Sequence, residues 1–197
     1  MPGCRLLAVA IPLVAVLAVS DPGTARADKA ASGIMYGGAA FLAYSLAMGP
    51  PQDDESDVVT FGSGVFDVHD VENPAGMFRV EYRPALWAMR TGPLFGMAGT
   101  TDGGILGYGG LRHDIAFTDS LLVSFNSSLA AYPIEGNGKD LGSAAQFRTG
   151  FDVHYKLDDG SRIGVSFHHI SHAELFGDDN PGTETLGLTY TIPIGRF

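Results

Sequence analysis

Near the C-terminus the sequence reads His168-His169-Ile170-Ser171-His172-Ala173 and then Asn180-Pro181-Gly182-Thr183-Glu184. Histidine, serine and glutamate are the residue types that make a nucleophile, its base and an orienting carboxylate. If the first segment is a strand, His169 and Ser171 point the same way, with Cα atoms about 6.5–7 Å apart. A hairpin into a strand that begins at 183 carries Glu184 to the same rim. The three then meet in the arrangement of a catalytic triad, which is recognised by geometry and not by chain order. A metal site is a poorer reading. His168 and His172 share a face, but their spacing separates them by about 13 Å, too far for one ion at bonds of about 2.1 Å. His168 itself lies on the face opposite His169. His69-Asp70 and His113-Asp114 read as loop and lumen residues, and Asp53-Asp54-Glu55 as a solvated run.

Strands must position these groups, and the sequence is full of them. From Leu141 to Leu157 the odd positions give Leu141, Ala145, Phe147, Phe151, Val153, Tyr155 and Leu157. The even positions give Gln146, Arg148, Asp152, His154 and Lys156. Period-two alternation of this kind marks a strand with one apolar and one polar face. Leu121, Val123, Phe125 and Leu129 oppose Ser124, Asn126 and Ser128, and Phe78, Val80 and Tyr82 oppose Arg79, Glu81 and Arg83. Several stretches exceed the 5–6 residues or so of a soluble strand and fit spanning strands of about 9–11 residues with extensions.

The strands fall at roughly 58–68, 76–83, 86–98, 104–116, 120–132, 141–157, 161–174 and 183–195. Short turns are expected at Pro84, at Thr118-Asp119-Ser120 and at Asp158-Asp159-Gly160. Longer links are expected at 69–75, 99–103, 133–140 and 175–182. That alternation fits an all-β, eight-stranded antiparallel barrel of the outer membrane. Such a barrel is filled by side chains, so Arg79, Glu81, Arg83, Arg148, Asp152 and Lys156 are expected to form a packed polar interior and not a pore. His169, Ser171 and Glu184 then lie with the apolar face, toward lipid. An enzyme acting on membrane lipid has reason to place them there.

Composition agrees with export. The chain has 197 residues, 12 Lys and Arg against 22 Asp and Glu, and one cysteine. A charge of −10 argues against a nucleic-acid partner, and one cysteine builds neither a disulfide framework nor a zinc ribbon. Residues 1–27 read as a signal peptide, with Arg5, an apolar stretch from Leu6 to Val19, and cleavage expected after Ala27. The mature chain would carry 10 basic and 21 acidic residues and no cysteine. Residues 28–57 read as an N-terminal extension of uncertain structure, and 58–197 as the barrel with its catalytic rim.

The two C-terminal segments together resemble the signature of the PagL-like lipid A 3-O-deacylases, also called acyloxyacyl hydrolases. Its usual form is His-x-Ser-Asn-Ala followed by Asn-Pro-Gly-x-Glu. Thr101-Asp102-Gly103-Gly104 and Gly138-Lys139-Asp140-Leu141-Gly142-Ser143 support the resemblance more loosely. It implies Ser171 as nucleophile, His169 as general base, Glu184 as the residue that orients His169, and Asn180 as an oxyanion donor. It also implies an ester hydrolase that removes the 3-O-linked acyl chain from lipid A of lipopolysaccharide in the outer leaflet. No cofactor and no metal follow from it. The sequence departs from the signature at His172, where the family usually has Asn, so His172 becomes a candidate site-organising residue. A chain end at Phe197 resembles the signal read by the barrel assembly machinery, and homodimerisation is left open. The alternative is a non-catalytic structural or adhesive barrel with a degenerate site. An acyltransferase on the same architecture would pass the chain to another lipid.

Overall fold

The computed structural model describes residues 56–68, 74–87, 90–133, 138–176 and 179–195. The leader 1–27, nearly all of the extension 28–57, His69-Asp70 and Phe197 lie outside the described residues. Eight strands follow in chain order: β1 (Asp57–Phe66), β2 (Ala75–Arg83), β3 (Thr91–Thr100), β4 (Ile105–Ala116), β5 (Leu121–Ala131), β6 (Ala145–Lys156), β7 (Arg162–Ser171) and β8 (Thr183–Gly195). Each pairs antiparallel with the next, and β1 pairs with β8 to close the barrel. Closure removes the free sheet edges that would otherwise invite pairing with other chains.

Alternation decides which side chains face where. Phe78, Phe95, Met97, Leu129, Val165 and Leu188 are exposed on the outside. Their neighbours Arg79, Arg83, Ser124, Asn126, Arg148 and Asp152 are buried inside. The interior is held by ion pairs. Asp152 accepts from Arg79 and Arg83, each at 2.6 Å, and Arg83 also donates to Glu81 at 2.5 Å. Arg148 stacks its guanidinium over the Tyr108 ring, 4.3 Å from the centroid. Any side chain at Gly96 would collide with that ring, so the glycine makes room for it. Toward the outer end the filling turns apolar, with Phe66, Met77, Leu106, Tyr132, Leu141 and Ile170 packed together.

The strand boundaries correct the sequence reading in four places. The β2–β3 connection is not a short turn at Pro84 but runs from 84 to 90. Its apolar Trp87 lies under the Arg112 guanidinium at 3.9 Å and is not a strand residue. β6 begins at Ala145 and not at 141, because Leu141 is buried in the apolar cluster and Gly142 has φ +75°. β7 stops at Ser171 and not at 174, because Ala173 and Glu174 turn into the left-handed region at φ 53° and 58°. Lys156 is exposed at the end of β6, so it does not belong to the polar interior. The opposite turn, joining β6 to β7, is pinned by Ser161. Its hydroxyl (2.6 Å) and amide (3.0 Å) donate to Asp159 and hold that carboxyl below its usual range.

Candidate active site

Strands β7 and β8 present their outward faces side by side. On β7 these are Ile163, Val165, Phe167, His169 and Ser171; on β8 they are Glu184, Leu186, Leu188 and Tyr190. The strand register sets His169 directly opposite Glu184. Their side chains meet at 2.9 Å between Nδ1 and Oε1. The pair is reachable from outside, with 41% of the His169 side chain and 23% of Glu184 exposed. A carboxylate on Nδ1 fixes the imidazole tautomer. Nδ1–H donates to Glu184, and the Nε2 lone pair is left to accept a proton.

Ser171 is the next outward residue on β7 and is half-buried. One flank is aromatic: Phe147 of β6 stands opposite Ser171 in the register. On the other flank lies Gly182, which is itself buried. A β-carbon on Gly182 would sit 3.5 Å from His169 Cε1 and 3.6 Å from Ser171 Cβ, and its φ of +57° favours glycine in any case.

Residues 172–176 and 179–182, described parts of the connection from β7 to β8, carry the remaining candidates. The His172 amide donates to Asn180 Oδ1 at 3.1 Å, and its Nε2–H donates to the Asp179 carbonyl at 2.8 Å. The ring is fully buried, so His172 does not share the outward face of Ser171. It ties the two legs of the connection together from below. Because Asn180 uses its oxygen on the His172 amide, its Nδ2 remains a donor. The Leu175 amide donates to the His172 carbonyl at 3.0 Å and closes the turn through Ala173 and Glu174. Phe176 then lays its ring on Phe147, with centroids 6.3 Å apart.

The structure thus gathers Ser171, His169 and Glu184 on one outward face and puts Asn180 and His172 in the connection above. His168 is elsewhere, fully buried in the lumen with Nε2 3.9 Å from Asp152. His113 and Asp114 are also buried inside. Among the described residues no three potential metal ligands come together. Two outward residues went unnoticed in the sequence. Thr149 of β6 stands opposite His169, and Ser127 of β5 stands opposite Thr149, their hydroxyls 3.2 Å apart. Ser127, Thr149, His169 and Glu184 therefore form one polar row across four strands. Only the register between strands reveals it; no signal within one strand does. A shallow trough of about 680 Å³ elsewhere on the exterior, between Phe61, Phe78, Met97 and Tyr190, includes none of these residues.

Comparison with known proteins agrees with the barrel. Residues 76–193 match the family model described as lipid A 3-O-deacylase (PagL). No curated protein matches the chain. Among solved structures, the crystal structure of the outer membrane enzyme PagL aligns with a TM-score of 0.55 at 20% identity, covering 70% of this chain and 99% of that one. A structure reported under de novo design of transmembrane β-barrels aligns with a TM-score of 0.51 at 10% identity, covering 72% and 98%. At these identities the two structures speak for the barrel alone.

Proposed function

We propose a mechanism on one premise: the chain belongs to the PagL family of lipid A 3-O-deacylases, hydrolases carried on barrels of the outer membrane. The Ser171 hydroxyl attacks the ester carbonyl through which an acyl chain is attached to the 3-oxygen of the lipid A sugar. His169 Nε2 takes the hydroxyl proton as the new carbon–oxygen bond forms. Glu184, holding Nδ1–H, stabilises the imidazolium. Negative charge gathers on the former carbonyl oxygen, and Asn180 Nδ2 is the side-chain donor we assign to it. When the intermediate collapses, His169 returns its proton to the departing sugar oxygen, and the chain remains as an ester of Ser171. Water then attacks this ester with the same base, freeing the fatty acid and restoring Ser171. No step draws on a metal or cofactor.

One observation carries the reading. The 2.9 Å His169–Glu184 pair faces outward, where lipid lies, with Ser171 next on the same strand face. A site inside the packed barrel is closed to an acyl chain, whereas the outward face is open to one. Asn180 supports the reading with an amide nitrogen that its bond to the His172 amide leaves uncommitted.

The test is mass spectrometry of lipid A from cells with and without the protein. Lipid A should lose the mass of one ester-linked acyl chain in the expressing cells. No loss under conditions where the protein is folded in the outer membrane would overturn the hydrolase reading for this chain. His172→Asn, which restores the usual family residue, should deacylate at the parent rate or faster, since the backbone amide to Asn180 is kept. A fall of tenfold or more would mean that the His172 ring, through Asp179, holds the connection in its working shape.

A further inference from the structure

At the outer end of the barrel a lysine from one connection reaches an aspartate of another. Lys139 Nζ donates to Asp67 Oδ2 at 2.5 Å, spanning from the β5–β6 connection to the β1–β2 connection. The Asp67 carboxylate is nearly buried and the Lys139 side chain only partly exposed, so water and salt screen this pair less than a surface ion pair. Lys139 is itself held from a third connection. Its amide donates to Asp102 Oδ2 at 3.3 Å, in the β3–β4 turn, and the Thr100 hydroxyl donates to the other oxygen of that carboxylate. The two connections stand close there: a β-carbon on Gly138 would lie 2.8 Å from Gly104 Cα. The segments Thr101-Asp102-Gly103-Gly104 and Gly138-Lys139-Asp140 thus combine to aim one ammonium group at Asp67.

Asp67 in turn holds the far edge of Glu184. It follows β1 directly, and its φ of 63° puts it in the left-handed region, which aspartate tolerates better than most residues. That turn brings the next amide back to β8. Val68 N–H donates to the Glu184 carbonyl at 3.1 Å, just beyond the last β1–β8 pair, Phe66 with Thr185. Glu184 is only the second residue of β8. On one side the register with His169 of β7 fixes it; on the other side the Val68 bond holds it. Strand ends open first where such bonds are weak. A bond to the Glu184 backbone therefore limits how far its carboxylate can drift from His169 Nδ1, 2.9 Å away.

We propose that the Lys139–Asp67 ion pair is a positioning device for Glu184: it fixes the turn after β1 and, through the Val68 amide, the carboxylate that stabilises the His169 imidazolium. The proposal rests on the Ser171, His169 and Glu184 reading and deepens it. Lys139 and Asp67 act through Glu184 and not on the reacting atoms. Their effect falls on kcat and leaves KM almost untouched, because the imidazolium forms only on the way to the transition state. It is also bounded, since losing the pair costs no more than losing the Glu184 carboxylate itself.

The test uses the purified, folded barrel in detergent micelles with 4-nitrophenyl tetradecanoate, an ester with no sugar or phosphate for Lys139 to bind. Lys139→Met should lower kcat about tenfold with KM unchanged, within the roughly hundredfold that a misplacement of about 1 Å can cost. Lys139→Arg keeps a cation on a long stem and should restore most of the parent kcat. Asp67→Asn tolerates the left-handed turn without the charge and should match Lys139→Met. The decisive comparison is the Glu184→Gln background, where no carboxylate remains to be positioned. There Lys139→Met should change kcat by less than about twofold, because the two changes remove one interaction. A full tenfold loss in that background, or a loss carried in KM, would overturn the positioning role. Unchanged kcat in Lys139→Met or Asp67→Asn, or failure of both to fold, would make the pair purely structural and overturn it as well. Failure of the parent to hydrolyse the ester in a Ser171-dependent way would instead overturn the triad reading, and the positioning role with it.

Discussion

Ser171→Ala should lower release of fatty acid from lipid A by about three orders of magnitude or more, the usual cost of removing a nucleophile that works in concert with its base. His169→Ala should fall as far, and the double variant should fall little further. Groups acting as a unit do not contribute additively. Glu184→Gln should cost less, because the amide can still touch Nδ1 but no longer stabilises the imidazolium. None of the three side chains belongs to the packed interior, and Ser171 and Glu184 are half-buried at the rim. The variants should therefore keep the heat-dependent gel mobility and strand-rich circular dichroism of a folded barrel. Fatty acid release from Ser171→Ala at the parent rate would place the nucleophile elsewhere.

Asp152→Ala should be the most damaging single change to the fold. Asp152 accepts from Arg79 and Arg83 at 2.6 Å each and from Asn126 at 3.2 Å. All of this happens in a fully buried interior. Removing the carboxylate leaves Glu81 as the acidic partner shared by Arg79 and Arg83, one negative charge against two buried guanidinium groups. Breaking a buried ion pair from one side costs about 3–5 kcal/mol. The expected result is a large drop in the urea midpoint of the barrel in lipid vesicles. Lys156→Ala serves as the comparison, since this exposed residue should change stability by no more than about 0.5 kcal/mol. Equal midpoints for Asp152→Ala and parent would mean that packing at the apolar outer end, and not the charged interior, sets the stability.

Much of the fold is legible because a barrel obeys one simple rule. Alternation sorts Arg79, Glu81 and Arg83 from Phe78, Val80 and Tyr82, and the eight strands emerge near their true places. The rule fails where apolar residues serve something other than a lipid face. Trp87 looks like part of β3 but lies beneath Arg112, whose Nη2 donates to the Pro84 carbonyl at 3.1 Å. Leu141 looks like the start of β6 but closes the outer end of the interior. At the site, spacing within one strand was enough to put His169 and Ser171 on one face. Glu184 required only the hairpin. The direction of the His172 ring was half legible: alternation sends it inward, but its bond to Asp179 depends on the connection folding back. Thr149 and Ser127 went unnoticed, because neighbours across strands follow from register: the short turn at 158–160 fell where expected and sets Thr149 opposite His169, while the β5–β6 connection is longer than the expected 133–140.

The outward setting of the His169–Glu184 pair also changes what concentration means for this protein. A site that opens on the hydrocarbon meets its substrate by lateral diffusion in two dimensions. Encounter frequency then follows the mole fraction of substrate lipid in the leaflet, and the amount of substrate per volume of suspension drops out. Mixing inert lipid into vesicles of fixed substrate content should slow turnover, as surface dilution. Both halves of the cleaved lipid are amphiphilic, so the shortened lipid should compete with substrate at the rim. Progress curves in a closed vesicle should bend early, well before the substrate is exhausted.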